Sequence, residues 1–118
     1  MRLLILDDDL FFGRCLDRQL QQPNISAQVV TTIFAAMRCL ETEPFDGVLF
    51  DHRLGEGPTG LQLLRFVAAR FPALSRILMS GEIVDGWQGP AEALLQKPFS
   101  PQELIDLLRS RDALRRAR

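Results

Sequence analysis

The stretch from Phe45 to Gly60 constrains the fold more than any other part of this chain. Phe45-Asp46-Gly47 leads into the apolar run Val48-Leu49-Phe50, which stops at Asp51, and the loop that follows carries Gly55, Gly57, Pro58 and Gly60. A short unbroken apolar run bounded by turn residues reads as a strand buried on both faces. Such a strand belongs in a parallel sheet covered by helices, where ligands sit beyond the carboxyl ends of the strands. Asp51 stands at that end. A carboxylate there serves as a nucleophile, a metal ligand or both, unless it only opens a turn or caps a helix. The choice depends on whether other reactive side chains reach the same edge.

Taken in order, the chain repeats this pattern. Arg2 to Leu6 reads as a first strand, with Asp7-Asp8-Asp9 at its carboxyl end. Leu10 to Gln22 follows as a helix, with Leu10 or Phe11, Cys15 or Leu16, and Leu20 at helical spacing, closed by Pro23 and Asn24. Ala27 to Thr31 is a second strand, and Thr32 is placed to cap a helix running to about Thr42, with Ile33, Ala36, Met37 and Leu40 inward. After the strand ending at Asp51, a helix carries Leu61, Leu64, Val67, Ala68 and Phe71 and stops at Pro72. Arg76 to Met79 is a fourth strand and ends at Ser80-Gly81; Ala93 to Gln96 is a fifth and ends at Lys97-Pro98-Phe99. Ser100-Pro101-Gln102-Glu103 is a capping box for a last helix with Leu104, Ile105, Leu107, Leu108 and Leu114 as its apolar residues.

One interval breaks the rhythm. Only Gly81 to Glu92 separate the fourth strand from the fifth, and Gly86, Gly89 and Pro90 lie among them. A parallel crossover takes about a dozen residues including its helix. The helix here is therefore expected to be shortened or irregular, with at most a turn or two around Ile83 to Trp87, anchored by Ile83, Val84 and Trp87. The alternation implies an open α/β fold: a flavodoxin-like, doubly wound, five-stranded parallel sheet of (βα)5 pattern in the order 2-1-3-4-5.

The 118 residues suit one domain, read as 1–118, with 47% apolar and 25% charged residues as in ordinary globular proteins. A formal net charge of −1 gives no whole-chain case for nucleic acid, and the basic tail from Arg109 to Arg118 reads as favourable charge at a helix C-terminus. Cys15 and Cys39 lack metal-ligand spacing and read as buried, reduced thiols of a cytoplasmic protein. No apolar run approaches the roughly 18 residues of a membrane span. Leu3 to Leu6 ends at three aspartates, so it is no signal peptide.

The strand ends collect Asp7, Asp8 and Asp9, then Asp51, Ser80 and Lys97. Clustered carboxylates make a hard, oxygen-rich site suited to Mg²⁺ (or Mn²⁺). A hydroxyl and an ammonium beside them suit a phosphoryl group.

In these residues the chain resembles the receiver domains of bacterial two-component response regulators, including those found alone or attached to hybrid histidine kinases. The likeness rests on Leu3-Leu4-Ile5-Leu6-Asp7-Asp8-Asp9 with Arg14, on Phe45 to Asp51, and on Gly60-Leu61 with Leu63-Leu64. Ile77-Leu78-Met79-Ser80-Gly81 and Gln96-Lys97-Pro98-Phe99 complete it. The resemblance implies that Asp51 is the phosphoacceptor and that Asp7, Asp8, Asp51 and the backbone carbonyl of Arg53 hold Mg²⁺. It implies further that Ser80 contacts the phosphoryl group on activation, that Lys97 pairs with it, and that the Lys97–Pro98 bond is cis. Such a domain takes its phosphoryl group from a histidine kinase or histidine phosphotransfer protein in the cytoplasm and switches conformation. It assists only its own phosphorylation and dephosphorylation and is not otherwise an enzyme.

Three features depart from the commonest pattern. Leu94 stands three residues before the lysine, where family members commonly carry an aromatic switch residue. The Leu54-Gly55-Glu56-Gly57-Pro58-Thr59-Gly60 loop is one residue longer than the commonest spacing. The short Gly81 to Glu92 interval compromises a face that many receivers use to dimerise, so a monomer without nucleic-acid or membrane binding is expected. A fused kinase or output domain outside this chain stays open. Two other functions compete: a pseudo-receiver that binds partners without phosphorylation, and a haloacid-dehalogenase-type phosphohydrolase using Asp7 through Asp7-x-Asp9. The latter family usually has threonine or valine two residues after the second aspartate, where this chain has Phe11.

Overall fold

The computed structural model describes residues 1–116, with side chains described as far as Arg111. Five parallel strands form one sheet in the order β2-β1-β3-β4-β5. They are β1 (Arg2–Leu6), β2 (Ser26–Val30), β3 (Gly47–Asp51), β4 (Ser75–Ser80) and β5 (Ala93–Gln96). The helices are α1 (Leu10–Gln19), α2 (Ile33–Thr42), α3 (Gly60–Arg70) and α4 (Pro101–Arg116). The expected strand order and flavodoxin-like fold are therefore present.

Strand alternation divides the core. Leu4, Leu6, Val48, Phe50 and Leu78 point to one face and pack beneath α2 and α3. Leu3, Ile5, Leu49, Ile77 and Met79 point to the other, beneath α1 and α4. Because helices cover both faces, all five residues of β3 are buried, which is why that strand reads as an unbroken apolar run.

The helix starts follow local chemistry. Thr32 accepts a hydrogen bond from the Ala35 N–H and Thr59 accepts one from Gln62. The Ser100 hydroxyl accepts from the Glu103 N–H, and the Glu103 carboxylate accepts from the Ser100 N–H. Each satisfies N–H groups that a helix cannot bond internally. Leu104, Ile105 and Leu108 are buried as expected; Leu114 and the rest of the basic tail beyond Arg111 lie outside the described side chains.

Two helical expectations need correction. Helix α1 ends at Gln19 rather than Gln22, and Gln22 instead pairs with Ile25 in a tight turn around Pro23-Asn24. A residue preceding proline is pushed out of helical geometry, which accounts for the earlier stop. Leu10 and Phe11 are exposed, at 43% and 79%. The inward stripe is Phe12, Leu16 and Leu20; Cys15, expected to be buried, lies beside that stripe and is only half-buried, while Cys39 is buried.

The β4–β5 connection contains no helical turn. Val84 is buried and Trp87 is half-buried against the α2/α3 side of the core, but Ile83 is 87% exposed and anchors nothing. Gly86 and Gly89 hold φ of +71° and +101°, values that β-carbon sterics disfavour in other residues. The Arg76 guanidinium donates to the carbonyls of Pro90 at 2.8 Å and Leu74 at 3.2 Å. An irregular segment cannot satisfy its own carbonyls as a helix does, and Arg76 supplies donors in their place.

Candidate functional site

Sheet register decides which side chains meet. Leu6 pairs with Phe50, so Asp7 and Asp51 come next on neighbouring strands. Ser80 pairs with Gln96, so Lys97 follows one residue beyond that row. Oxygens of Asp7, Asp8 and Asp51 all lie within 4.8 Å of one another. Asp7 is fully buried, Asp51 is buried and Asp8 is exposed.

The Lys97 ammonium lies 2.9 Å from Asp7 Oδ2 and 3.2 Å from Asp51 Oδ1. The Lys97–Pro98 bond is cis. One ammonium against three carboxylates leaves the cluster short of positive charge. Burial pushes the Asp51 carboxyl above the usual range, the Asp7 charge pushes it further, and Lys97 offsets only part of this. For Lys97, burial acts downward, but the Asp7 hydrogen bond and the charges of Asp51 and Asp7 outweigh it and hold the amine above its ordinary value. The two shifts differ in cause: burial leads the rise at Asp51, whereas at Lys97 the two neighbouring carboxylates overcome burial. All donors are hard oxygens and the charge deficit is positive, so the residues fit a Mg²⁺ ion.

The third aspartate does other work. Asp9 accepts the Phe12 N–H as the N-cap of α1, and its own N–H donates to Asp7 Oδ1 at 2.9 Å. It therefore steadies Asp7 and sets where α1 begins.

The loops around the cluster are closely tied. Gly60 opens α3 and its N–H donates to the His52 carbonyl at 2.9 Å. A β-carbon at Gly60 would collide with the Asp51 carbonyl oxygen, so only glycine lets α3 start against the end of β3. Arg53, two residues after Asp51, grips Glu82 through Nε at 2.6 Å and Nη2 at 3.0 Å. That pair spans the loops after β3 and β4 and pulls the exposed Glu82 carboxyl below its usual range. The His52 Nδ1 is buried without a hydrogen-bond partner among the described residues.

Ser80 is buried, and its hydroxyl donates to the Glu82 carbonyl at 3.0 Å and accepts the Glu82 N–H at 3.1 Å. Leu94 pairs with Leu78 and packs half-buried against the core. Three roles escaped the sequence reading. Phe12 lies 4.2 Å beneath Lys97, as ring centroid to Nζ, and its four-residue spacing to Leu16 and Leu20 was the available signal. Asp9 carried a capping signal immediately before Leu10. Glu82 had none, because its partner is 29 residues away in sequence.

The comparisons agree with this geometry. Over 113 residues the chain is 26% identical to an NtrX-like response regulator of Rickettsia typhi and to another of Rickettsia felis. The match covers 91% of this chain but only 24% of those proteins, so the chain spans about a quarter of their length. Among solved structures, the signal receiver domain of an HD-domain-containing protein from Pseudomonas fluorescens superposes with a TM-score of 0.89 at 21% identity, covering 99% of this chain and 98% of that one. A CheY-like receiver domain protein from Methanospirillum hungatei gives 0.84 at 23%, covering 93% and 91%. TrrA of Thermotoga maritima, solved with Mg²⁺ and BeF, gives 0.83 at 20%, covering 92% and 96%. At these identities the structures speak for the fold. The family model described as the response regulator receiver domain matches residues 3–109. With nearly the whole chain matched and its acidic cluster assembled at the sheet edge, this protein belongs to the response regulator receiver domain family.

Proposed function

We propose that the chain is a working phosphoacceptor that takes a phosphoryl group from a phosphohistidine partner onto Asp51. The observation that carries this reading is the convergence of Asp7, Asp8 and Asp51 within 4.8 Å around a lysine that bridges two of them. Asp7, Asp8, Asp51 and the Arg53 carbonyl would hold Mg²⁺, which when bound supplies positive charge beside the transferring oxygens. A carboxylate oxygen of Asp51 attacks phosphorus in line, and the P–O bond forms as the P–N bond to the donor imidazole breaks. Lys97 passes from the Asp51 carboxylate to a phosphoryl oxygen and keeps its hold on Asp7. Catalysis here is positioning and electrostatics, with little covalent work for other side chains.

Ser80 then has a choice of partners. Its hydroxyl can stay on the Glu82 backbone or turn to the new phosphoryl oxygens, which add roughly −1.5 to −2 units of charge. Turning releases the Glu82 segment and shifts the population between two arrangements of the β4 loop. The donor would be a histidine kinase or a histidine phosphotransfer protein in the cytoplasm. Among the described residues no helix is long and apolar enough to cross a membrane.

Incubation with acetyl phosphate and Mg²⁺, followed by reductive trapping and peptide mapping, tests the reading. Modification at Asp51, abolished by Asp51→Asn, is expected. Modification at Asp7 would instead favour a hydrolase, a reading weakened by the commitment of Asp9 to capping α1. A chain left unmodified would be a pseudo-receiver.

A further inference from the structure

We propose that Phe12 is a positioning residue for Lys97, the face of its ring holding the ammonium over the carboxylate cluster and setting how well it meets the phosphoryl group. This rests on the phosphoacceptor reading above. Lys97 is the only lysine of the chain, the other basic residues among the 14 being arginines. Its ammonium has Asp7 at 2.9 Å and Asp51 at 3.2 Å. A third neighbour is the ring of Phe12, its centroid 4.2 Å from Nζ. An aromatic face carries negative potential and attracts a cation at this distance, more strongly when water is excluded. The Lys97 side chain is 23% exposed, so little water competes.

The ring is itself braced. Phe12 meets Phe99 edge to face, with centroids 6.2 Å apart and planes at 84°. Phe99 lies two residues beyond Lys97, so the segment that carries the ammonium also fixes the ring beneath it. Both rings pack against the core shared by α1 and α4. At the other end, Asp9 accepts the Phe12 N–H and sets the helix phase that turns this side chain inward. Two features then suit the ring to its role. A lysine stem has four flexible carbons and a strongly hydrated head, and a ring face restricts the first and displaces water from the second. The attraction is also spread over the face rather than directed along one bond. Nζ can therefore pass from Asp51 to a phosphoryl oxygen without losing this contact.

The test uses the single lysine as its own reporter. Lysine-selective ¹³C labelling of the metal-free protein gives one Cε signal, whose protons the ring current should shift upfield. That shift should vanish in Phe12→Leu and persist in Phe12→Tyr and with 3,4,5-trifluorophenylalanine at position 12. Phosphorylation by acetyl phosphate at saturating Mg²⁺ should slow about 3- to 30-fold in Phe12→Leu. It should also slow in the fluorinated protein, whose ring keeps its shape but loses its negative face, and stay within about twofold of the parent in Phe12→Tyr. An unshifted Cε signal in the parent would remove the contact and the inference. A fluorinated protein as fast as the parent would reduce the ring to bulk and overturn the positioning role, whether or not Phe12→Leu folds. If the parent itself accepts no phosphoryl group, the phosphoacceptor reading falls and this one with it; if the parent reacts and all variants match it, only the role of Phe12 falls.

Discussion

Three carboxylates cluster around a single ammonium that pairs with only two of them, Asp7 and Asp51. Asp51 is held above the usual carboxylate range by burial and by Asp7. A carboxyl raised by folding stabilises the folded state only while protonated, and that contribution is lost as pH rises through its folded pKa. At neutral pH the ionised group is therefore a net cost. Asp51→Asn should raise the melting temperature of the metal-free protein at pH 7 to 8. The advantage should shrink as pH falls through and below the carboxylate range, where the parent's own Asp51 becomes protonated. Thermal melts across pH check this, and a constant difference at every pH would contradict it. Mg²⁺ supplies the missing charge by another route, so it should raise stability by mass action. Asp8 is exposed and remote from the core, so Asp8→Ala should fold normally yet bind Mg²⁺ more weakly. Equal titration curves for mutant and parent would exclude Asp8 as a ligand. These groups were legible in the sequence because parallel strands deliver their last residues to one edge whatever the details of packing. Phe12 was not, because its role depends on helix phase, which the Asp9 cap decides and apolar spacing alone left between Leu10 and Phe11.

Elements differ in how much local sequence determines them. The capped starts of α2, α3 and α4 needed only side chains within three residues of each other. The β4–β5 segment depends on Arg76, which reaches the Pro90 carbonyl 14 residues away in sequence, and no periodicity announces such a contact. Its glycines and proline correctly opposed a helix, but they could not show which apolar residue turns inward. Val84 did and Ile83 did not. Arg76→Ala strips donors from part-buried carbonyls and should cost about 1–3 kcal/mol. Trp87 is the only tryptophan and the chain has no tyrosine, so intrinsic fluorescence reports this segment alone. A red shift in Arg76→Ala is expected, and an unchanged spectrum would assign the segment's order to other contacts. The start of α3 is stricter still. Gly60→Ala places a methyl group against backbone rather than a flexible side chain, so α3 or the end of β3 must move. Denaturant melts should show one of the larger losses that single substitutions produce, more than about 3 kcal/mol.

At the scale of the whole molecule, the question is what the missing crossover helix does to assembly. A surface that dimerises stably needs a well-packed apolar centre within its polar rim. Among the described residues the exposed large apolar side chains are Leu10, Phe11, Phe34, Phe66 and Ile83. Leu10 and Phe11 open α1, Phe34 lies in the first turn of α2 and Ile83 follows β4, so four of the five lie at the carboxyl edge of the sheet, the edge that carries Asp51. Phe66 lies on α3. None lies on β5 or on the described side chains of α4. The β5 margin is instead occupied within the chain, where Arg111 of α4 donates to the Glu92 carbonyl at 2.9 Å. With neither a crossover helix nor, among the described residues, an apolar centre on the β5–α4 side, that face offers little to a second copy. The apolar rim at the other end of the strands favours a partner that approaches Asp51 itself. The protein should therefore sediment as a monomer both without ligand and with Mg²⁺ and beryllofluoride, a mimic of the phosphoryl group. Trp87 fluorescence should change on adding the mimic even so, because the Ser80 and Glu82 turn leads directly into its segment. A mimic-dependent dimer protected from hydrogen exchange along β5 and α4 would show that the irregular segment leaves the assembly face intact.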